Sequence, residues 1–518
     1  MGDERGLRWD ERPGGRIDGA EAGSDFQRRQ QVGAREAFQR AGESANHVTT
    51  YSYNLLNQMT QVSMTRTVGG QPVTQTRTFS YDSAGGTWWL LSETHPETGT
   101  MTYTYNADGT LATKTDAKSQ QTRFTWDATY QRPTQKSVFV GSTEDICARE
   151  TYAYKYWGPL DTVSWSDDSC PGKSLYEYYD YGAGNLVTTK NLHAAVLAVE
   201  NASPDIGAQF NYTQEGQLSQ LMYGNWNFTY SFDTIDRPSG LTDNSSGVQW
   251  VSNVAYGGTS GPAGELTALK YAAAGPGHQW YNETRTFNVR GQLTRMTATG
   301  SADTGYTTPQ TVDLQYNFSG TANDGRLTSR QDLVSGEAVN YTFDTLGRLT
   351  YANNTGTPPS WTQAFTYDGF GNLLTETGSG GAPTKTLSVD PTTNRINSSG
   401  YSYDLAGNQT AMPGITSMAY DKNNRLSQAT VAGGTEKHGY NPAGQRAWML
   451  STSGQYTVYF YGVKGELLAT YHHDYGSCHC TTAVGPYVYF AGKKIWDGAT
   501  LVQISFVSAA GGGGCAGG

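Results

Sequence analysis

The chain has 518 residues, a formal net charge of −10 and only 16% charged residues. That balance disfavours nucleic acid or an anionic membrane surface as partner, and no apolar run approaches the ~18 residues of a membrane-spanning helix. Few Lys, Glu and Leu leave little to build helices from, whereas 35 Tyr, 12 Trp and 16 Phe among many Thr and Gly suit pleated strands.

Residues 1–46 stand apart, with 8 Arg and 9 Asp or Glu and no aromatic repeat. They read as a charged, disordered lead-in. From residue 47 to about 500 one phrase recurs: aromatic, small polar, aromatic, Asp or Asn, turn. Its copies include Phe79-Ser80-Tyr81-Asp82, Tyr103-Thr104-Tyr105-Asn106, Phe124-Thr125-Trp126-Asp127 and Tyr230-Ser231-Phe232-Asp233. Further copies are Tyr341-Thr342-Phe343-Asp344, Phe365-Thr366-Tyr367-Asp368 and Tyr401-Ser402-Tyr403-Asp404, with looser ones at Tyr420-Asp421 and Tyr440-Asn441. Gaps of 17 to 24 residues separate regular copies. Residues 501–518 form a Gly-rich tail. Self-similarity at a short period marks a repeat array, whose function belongs to the array rather than to one site.

The phrase predicts a β-hairpin. In Tyr103 to Leu111, period-two alternation puts Tyr103 and Tyr105 on one strand face and Thr102 and Thr104 on the other. Asn106 starts a turn by bonding backbone amides two residues on, Gly109 supplies a positive φ, and Leu111 opens the return strand. The same grammar is read at Asp344/Gly347, Asp368/Gly371 and Asn441/Gly444, while Asn424 takes the glycine place after Asp421. A lone hairpin is marginal in water, so successive hairpins must pair into one long sheet, which coils as it twists. The fold expected is all-β: about fifteen antiparallel hairpins in a coiled sheet, a partial shell with little or no helix. Its edge strands should be unpaired near residues 50 and 500. A wall lined with Tyr, Thr and Asn tolerates a wet or variable content, because the tyrosine hydroxyl needs water or a partner.

These residues resemble the YD-repeat (RHS) family of bacterial rearrangement-hotspot proteins, insecticidal toxin complex C subunits and teneurins. Phe343-Asp344-Thr-Leu-Gly347-Arg348-Leu349 and Tyr367-Asp368-Gly-Phe-Gly371-Asn372-Leu373 match its Tyr-Asp-x-x-Gly-x-Leu pattern over about residues 47–500. The resemblance implies a hollow β-shell that encloses a C-terminal toxin or effector. The family's Asp-Pro-x-Gly self-cleaving segment is not matched: Asp390-Pro391 is followed by Thr-Thr-Asn-Arg and lies inside the array. Self-cleavage and toxin activity are therefore not carried over, and the chain reads as part of a shell.

Candidate chemistry is sparse. His472, His473, Cys478, His479 and Cys480 crowd into nine residues, but their spacing matches no common zinc module; they are weak metal candidates, and no metal or other cofactor is assigned. Cys147 and Cys170 flank an apparent hairpin, a placement that permits a disulfide in an oxidising destination. No G-x-S-x-G, P-loop or H-E-x-x-H motif occurs, and the acids sit along turns. The expectation is a non-catalytic, secreted or cell-surface bacterial shell, exported by a route that needs no classical signal peptide. Its partner is a polypeptide cargo encoded beyond this chain, or the rest of the shell. The alternative is an adhesion surface for a cell-surface glycan or protein.

Overall fold

The computed structural model describes residues 49–166, 174–194, 205–257, 264–272, 280–301, 311–357, 359–473, 481–497 and 501–503. The lead-in 1–46, and the tail 501–518 apart from the strand Leu501–Gln503, lie outside them. The described residues hold 41 strands and a single three-residue 3-10 turn, Ala183–Asn185. The strands outnumber those of fifteen hairpins because several turns begin with residues the phrase does not contain, such as Lys155, Thr213, Ser451 and Gly462.

The first 27 strands, Thr49–Tyr53 to Lys385–Thr386, form one sheet in which each strand pairs antiparallel with its neighbour in sequence. The sheet is not closed into a barrel. Two short hairpins follow, and then a second sheet of eight strands, the first seven running from Ile415–Tyr420 to Thr481–Val484. Its last member is Leu501–Gln503, which pairs with Thr481–Val484 across the intervening hairpin Tyr487–Phe490/Lys493–Asp497. At the other end, Thr49–Tyr53 is paired only with Met59–Val68 among the described residues, the open edge expected there.

A β-bulge recurs at the last aromatic of each phrase. Thr104 faces Thr113 while Tyr105 faces Leu111, so Ala112 is the extra residue. The same slip falls at Ser80/Tyr81, Thr125/Trp126, Thr342/Phe343, Thr366/Tyr367, Ser402/Tyr403 and Gly439/Tyr440. A bulge bends its strand and raises the local twist. Repeated once per hairpin, it gives the ribbon a steady curl.

The curled ribbon closes on itself in two ways. Its beginning meets its later turns through side chains: Gln75 Nε2 donates to Pro391 O at 2.8 Å and to Asn394 Oδ1 at 2.7 Å. Farther along, Lys118 Nζ lies 3.2 Å from Asp404 Oδ2, and Asn424 Nδ2 donates to Asp116 Oδ2 at 3.3 Å. Asp390-Pro391 is thus a turn in this seam. Elsewhere sheet packs on sheet. Strands between Leu160 and Ala272 share one apolar core with strands between Arg446 and Asp497, including Trp165, Phe210, Phe228, Leu241 and Trp250 against Trp448, Phe460, Tyr471, Phe490 and Trp496. Trp250 and Trp496 meet edge to face at 6.0 Å.

Burial is accordingly uneven. No apolar side chain before Val138 is buried among the described residues, and between 273 and 428 only Ala298, Val339 and Ala352 are. The Tyr-and-Thr wall without a core holds in those stretches. Over 160–272 it does not, because the chain's own last strands fill the space with apolar side chains. Replacing Phe460, fully buried, with Ala should cost about 3–5 kcal/mol. Replacing the 71% exposed Leu405 should change stability by less than about 0.5 kcal/mol, both read from denaturant midpoints.

Candidate functional site

The repeating unit is itself the structural site. In the Asp344 turn, Oδ1 accepts the amides of Leu346 at 3.0 Å and Arg348 at 2.8 Å, and Oδ2 accepts Arg348 Nε at 2.6 Å. Gly347 N donates to Asp344 O at 3.0 Å. Asp368 is held likewise by Phe370 N, Asn372 N and Asn372 Nδ2, and Asp404 by Asn408 N and Nδ2. Asp82 opens a longer loop instead, accepting Gly85 N and Thr87 Oγ1. Gly109, Gly347, Gly371 and Gly444 have φ between +80° and +94°, and Asn424 has φ of +60° in the same role, as their turn positions require.

The residue four past the turn acid was not anticipated, yet it follows a rule of polarity. Asp233, Asp344 and Asp421 face Arg237, Arg348 and Arg425, which donate to them. Asn106 and Asn441 reverse the direction, donating Nδ2 to Thr110 Oγ1 and Gln445 Oε1. An acceptor is matched by a donor and an amide by an acceptor, so the pairing could have been read as a correlation between phrase positions. The same residue then reaches the next turn along the rim. Arg348 Nη1 donates to Asp368 O at 3.2 Å, Arg425 Nη1 to Asn441 O at 3.1 Å, and Gln445 Nε2 to Gly465 O at 2.9 Å. Arg348 and Arg425 also lie over the rings of Tyr367 and Tyr440, each at 4.8 Å.

The tyrosine has one dominant partner. Tyr81, Tyr105, Tyr154, Tyr181, Tyr212, Tyr256, Tyr367, Tyr420, Tyr440 and Tyr461 each donate their hydroxyl, at 2.6–3.0 Å, to a backbone carbonyl in the preceding hairpin. In every case the acceptor is the first residue of that hairpin's return strand, as Leu90 is for Tyr105 and Leu349 for Tyr367. Trp126 does the same through its indole N–H to Leu111 O. Of the two outcomes open to a hydroxyl, water or a partner, these take the partner and are committed to the wall. Tyr403 departs, accepting Ile396 N at 3.1 Å, and Phe343 has no hydroxyl and carries Arg326 over its ring.

A second set of polar residues lies on the strands. Glu150 accepts Lys136 Nζ at 2.9 Å and Tyr152 OH at 2.7 Å, and Glu177 is bonded by Lys190 and Tyr179. Glu283, 2% exposed, is bonded by Arg285 and by Lys493 from the hairpin Tyr487–Phe490/Lys493–Asp497, so one buried carboxylate ties the large sheet to that hairpin. Burial, with Glu177 beside it, pushes the Tyr179 phenol far up, keeping it a donor. The spacing Glu-x-Tyr, two apart on one strand face, was the available sequence clue.

His472 and His473 are adjacent on one strand and point to opposite faces. His473 Nδ1 lies 3.1 Å from Thr481 Oγ1, and burial holds His472 below its ordinary value. Cys478, His479 and Cys480 lie outside the described residues, within which no group of three or more His, Cys, Asp or Glu is arranged to hold a metal. Cys147 is disulfide-bonded; Cys170 also lies outside the described residues.

No protein-family model matches this sequence, and no curated protein is significantly similar to it. Solved structures are similar in fold. The Tc holotoxin pore of Photorhabdus luminescens superposes with a TM-score of 0.63 at 13% identity, over 85% of this chain and 24% of that one. The TcdB2-TccC3 crystal structure gives 0.62 at 12% identity, over 85% and 26%. The fold is that of a YD-repeat shell. The chain spans about a quarter of the Tc toxin chains it matches.

The turn carboxylates make the shell's stability pH-dependent. The Arg237 amide, against a smaller opposing effect of burial, holds Asp233 below the usual carboxylate value of 3.8. The Arg326 guanidinium and amide hold Asp324 at about 2. Groups depressed in the folded state stabilise it above their unfolded pKa, and that contribution is lost as pH falls through the folded one. The urea midpoint should therefore dip as pH falls below 6.5, where buried His472 resists protonation, and then fall progressively from just below 3.8 towards about 2. A drop confined to the histidine range would contradict this account.

Proposed function

We propose that the chain is the wall of a non-catalytic container that encloses a polypeptide cargo and helps to deliver it outside a bacterial cell. The observation that carries this reading is the long curled meander, whose coils meet along a polar seam, in the same shell fold as Tc toxin structures. A spiral wall built from turn hydrogen bonds serves enclosure better than chemistry, and the acids of its repeat phrase are committed to turns. Because this chain is shorter than those relatives, further wall from the same or another polypeptide completes the enclosure.

The test is protease protection. The chain is purified from its native source with whatever polypeptide accompanies it, and the associated polypeptide is digested with and without denaturant. Enclosure predicts resistance until the wall unfolds. Cleavage of the associated polypeptide at the rate of the free one would overturn the reading.

One observation favours the second reading, surface recognition of a cell-surface glycan or protein. Tyr156 is 90% exposed and packs edge to face on Trp157 at a turn tip, and paired exposed aromatics suit such contacts. Loss of cell binding on replacing both with Ala, with cargo protection intact, would support it.

A further inference from the structure

A cavity of about 350 Å³ opens where strand Thr143–Tyr154 and its neighbour meet the hairpins from Tyr420 to Leu450. That size lies in the range of small-ligand sites. It does not belong to the repeat's own hydrogen-bond scheme, and its polar inventory is unbalanced. Trp165 and Trp448 line it, 5% and 6% exposed, and neither indole N–H has a hydrogen-bond partner. His438, also 6% exposed, lines it with Nδ1 unpartnered. A buried polar group without a partner is costly, so three in one cavity call for an explanation.

The charged residues tip the balance further. Arg149 and Arg425 line the cavity but are committed to Glu144 and Asp421. Lys422 and Lys437 line it too, and neither has an ion-pair partner among the described residues. Of the lining carboxylates, Glu150 and Asp421 are paired with cations, which leaves Asp145, whose Oδ1 accepts Cys147 N. Donors and positive charge are in surplus. The backbone is also shaped for the site: Gly439 sits opposite Trp448, and a Cβ there would fall 1.9 Å from the indole nitrogen. Any larger residue at 439 would displace the indole.

We infer that this cavity binds a small carboxylate-bearing ligand, accepted by the indole and ammonium donors between the two coils. The chemistry fits an acidic sugar or the acidic end of a peptide equally. The inference does not rest on the container reading, since a wall with or without cargo presents the same cavity.

The test is calorimetric titration of the whole chain with glucuronate, with N-acetylglutamate as a carboxylate that is not a sugar, and with glucose as the uncharged control. At least one carboxylate should bind saturably by millimolar concentrations, and glucose should not. Lys422→Gln and Lys437→Gln, both away from the core, should together weaken that binding about tenfold or more while leaving the circular dichroism unchanged. Trp448→Phe should also weaken it, and the lysine variants decide the matter if that change disturbs folding. Binding of glucuronate alone assigns a sugar, and of N-acetylglutamate alone a peptide carboxylate. Saturation by neither, glucose binding as well as glucuronate, or lysine variants that bind like the parent would overturn the inference.

Discussion

Each hairpin is too small to stand alone in water, and what joins one to the next beyond the strand ladder is first of all one recurring bond. The tyrosine hydroxyl of one hairpin reaches the carbonyl that opens the return strand of the hairpin before it. That carbonyl sits at the bulge, where the ladder is locally interrupted. The hydroxyl thus serves a group the bend would otherwise leave poorly bonded, and curvature and cohesion come from one residue. The turn Asp or Asn then fixes where the next strand begins, and its partner four residues on carries the contact to the following turn.

On this wall two closures are superimposed. The seam between coils is polar, made by Gln75, Glu97, Asp116 and Lys118 meeting turns near 394, 404 and 424. The join between the large sheet and the strands after Arg446 is apolar, with buried Glu283 and Lys493 as its charged link. A polar seam specifies which turns meet, whereas the apolar join supplies most of the burial. The cavity lined by Trp165 and Trp448 lies where these two kinds of contact run together.

The fold was legible because the phrase repeats: Phe343-Asp344-Thr-Leu-Gly347 dictates aromatic alternation, an acid-anchored turn and a left-handed residue with no help from distant sequence. The turn begun by Ser451 was missed because neither the aromatic phrase nor an acid precedes it; the Ser451 hydroxyl accepts Gln455 N instead. The filled core was hidden for a different reason. Phe460 and Trp496 sit on strands that look like any others in the array, and only the path of the ribbon sets them against Phe228 and Trp250. Tyrosine's partner was not legible because a hydroxyl is satisfied equally, on paper, by water or by a carbonyl on the neighbouring strand. The cavity joins residues nearly 300 positions apart, Trp165 and Trp448, so no local motif announces it.

The most direct measurement is the cost of removing single hydroxyls. Tyr105→Phe, Tyr367→Phe and Tyr440→Phe should each lower unfolding free energy by about 0.5–1.5 kcal/mol, the ordinary worth of an intramolecular hydrogen bond. Tyr156→Phe, at a 90% exposed position, should leave it unchanged. If all four variants unfold at the same urea concentration as the parent chain, the hydroxyl does not bind the hairpins together.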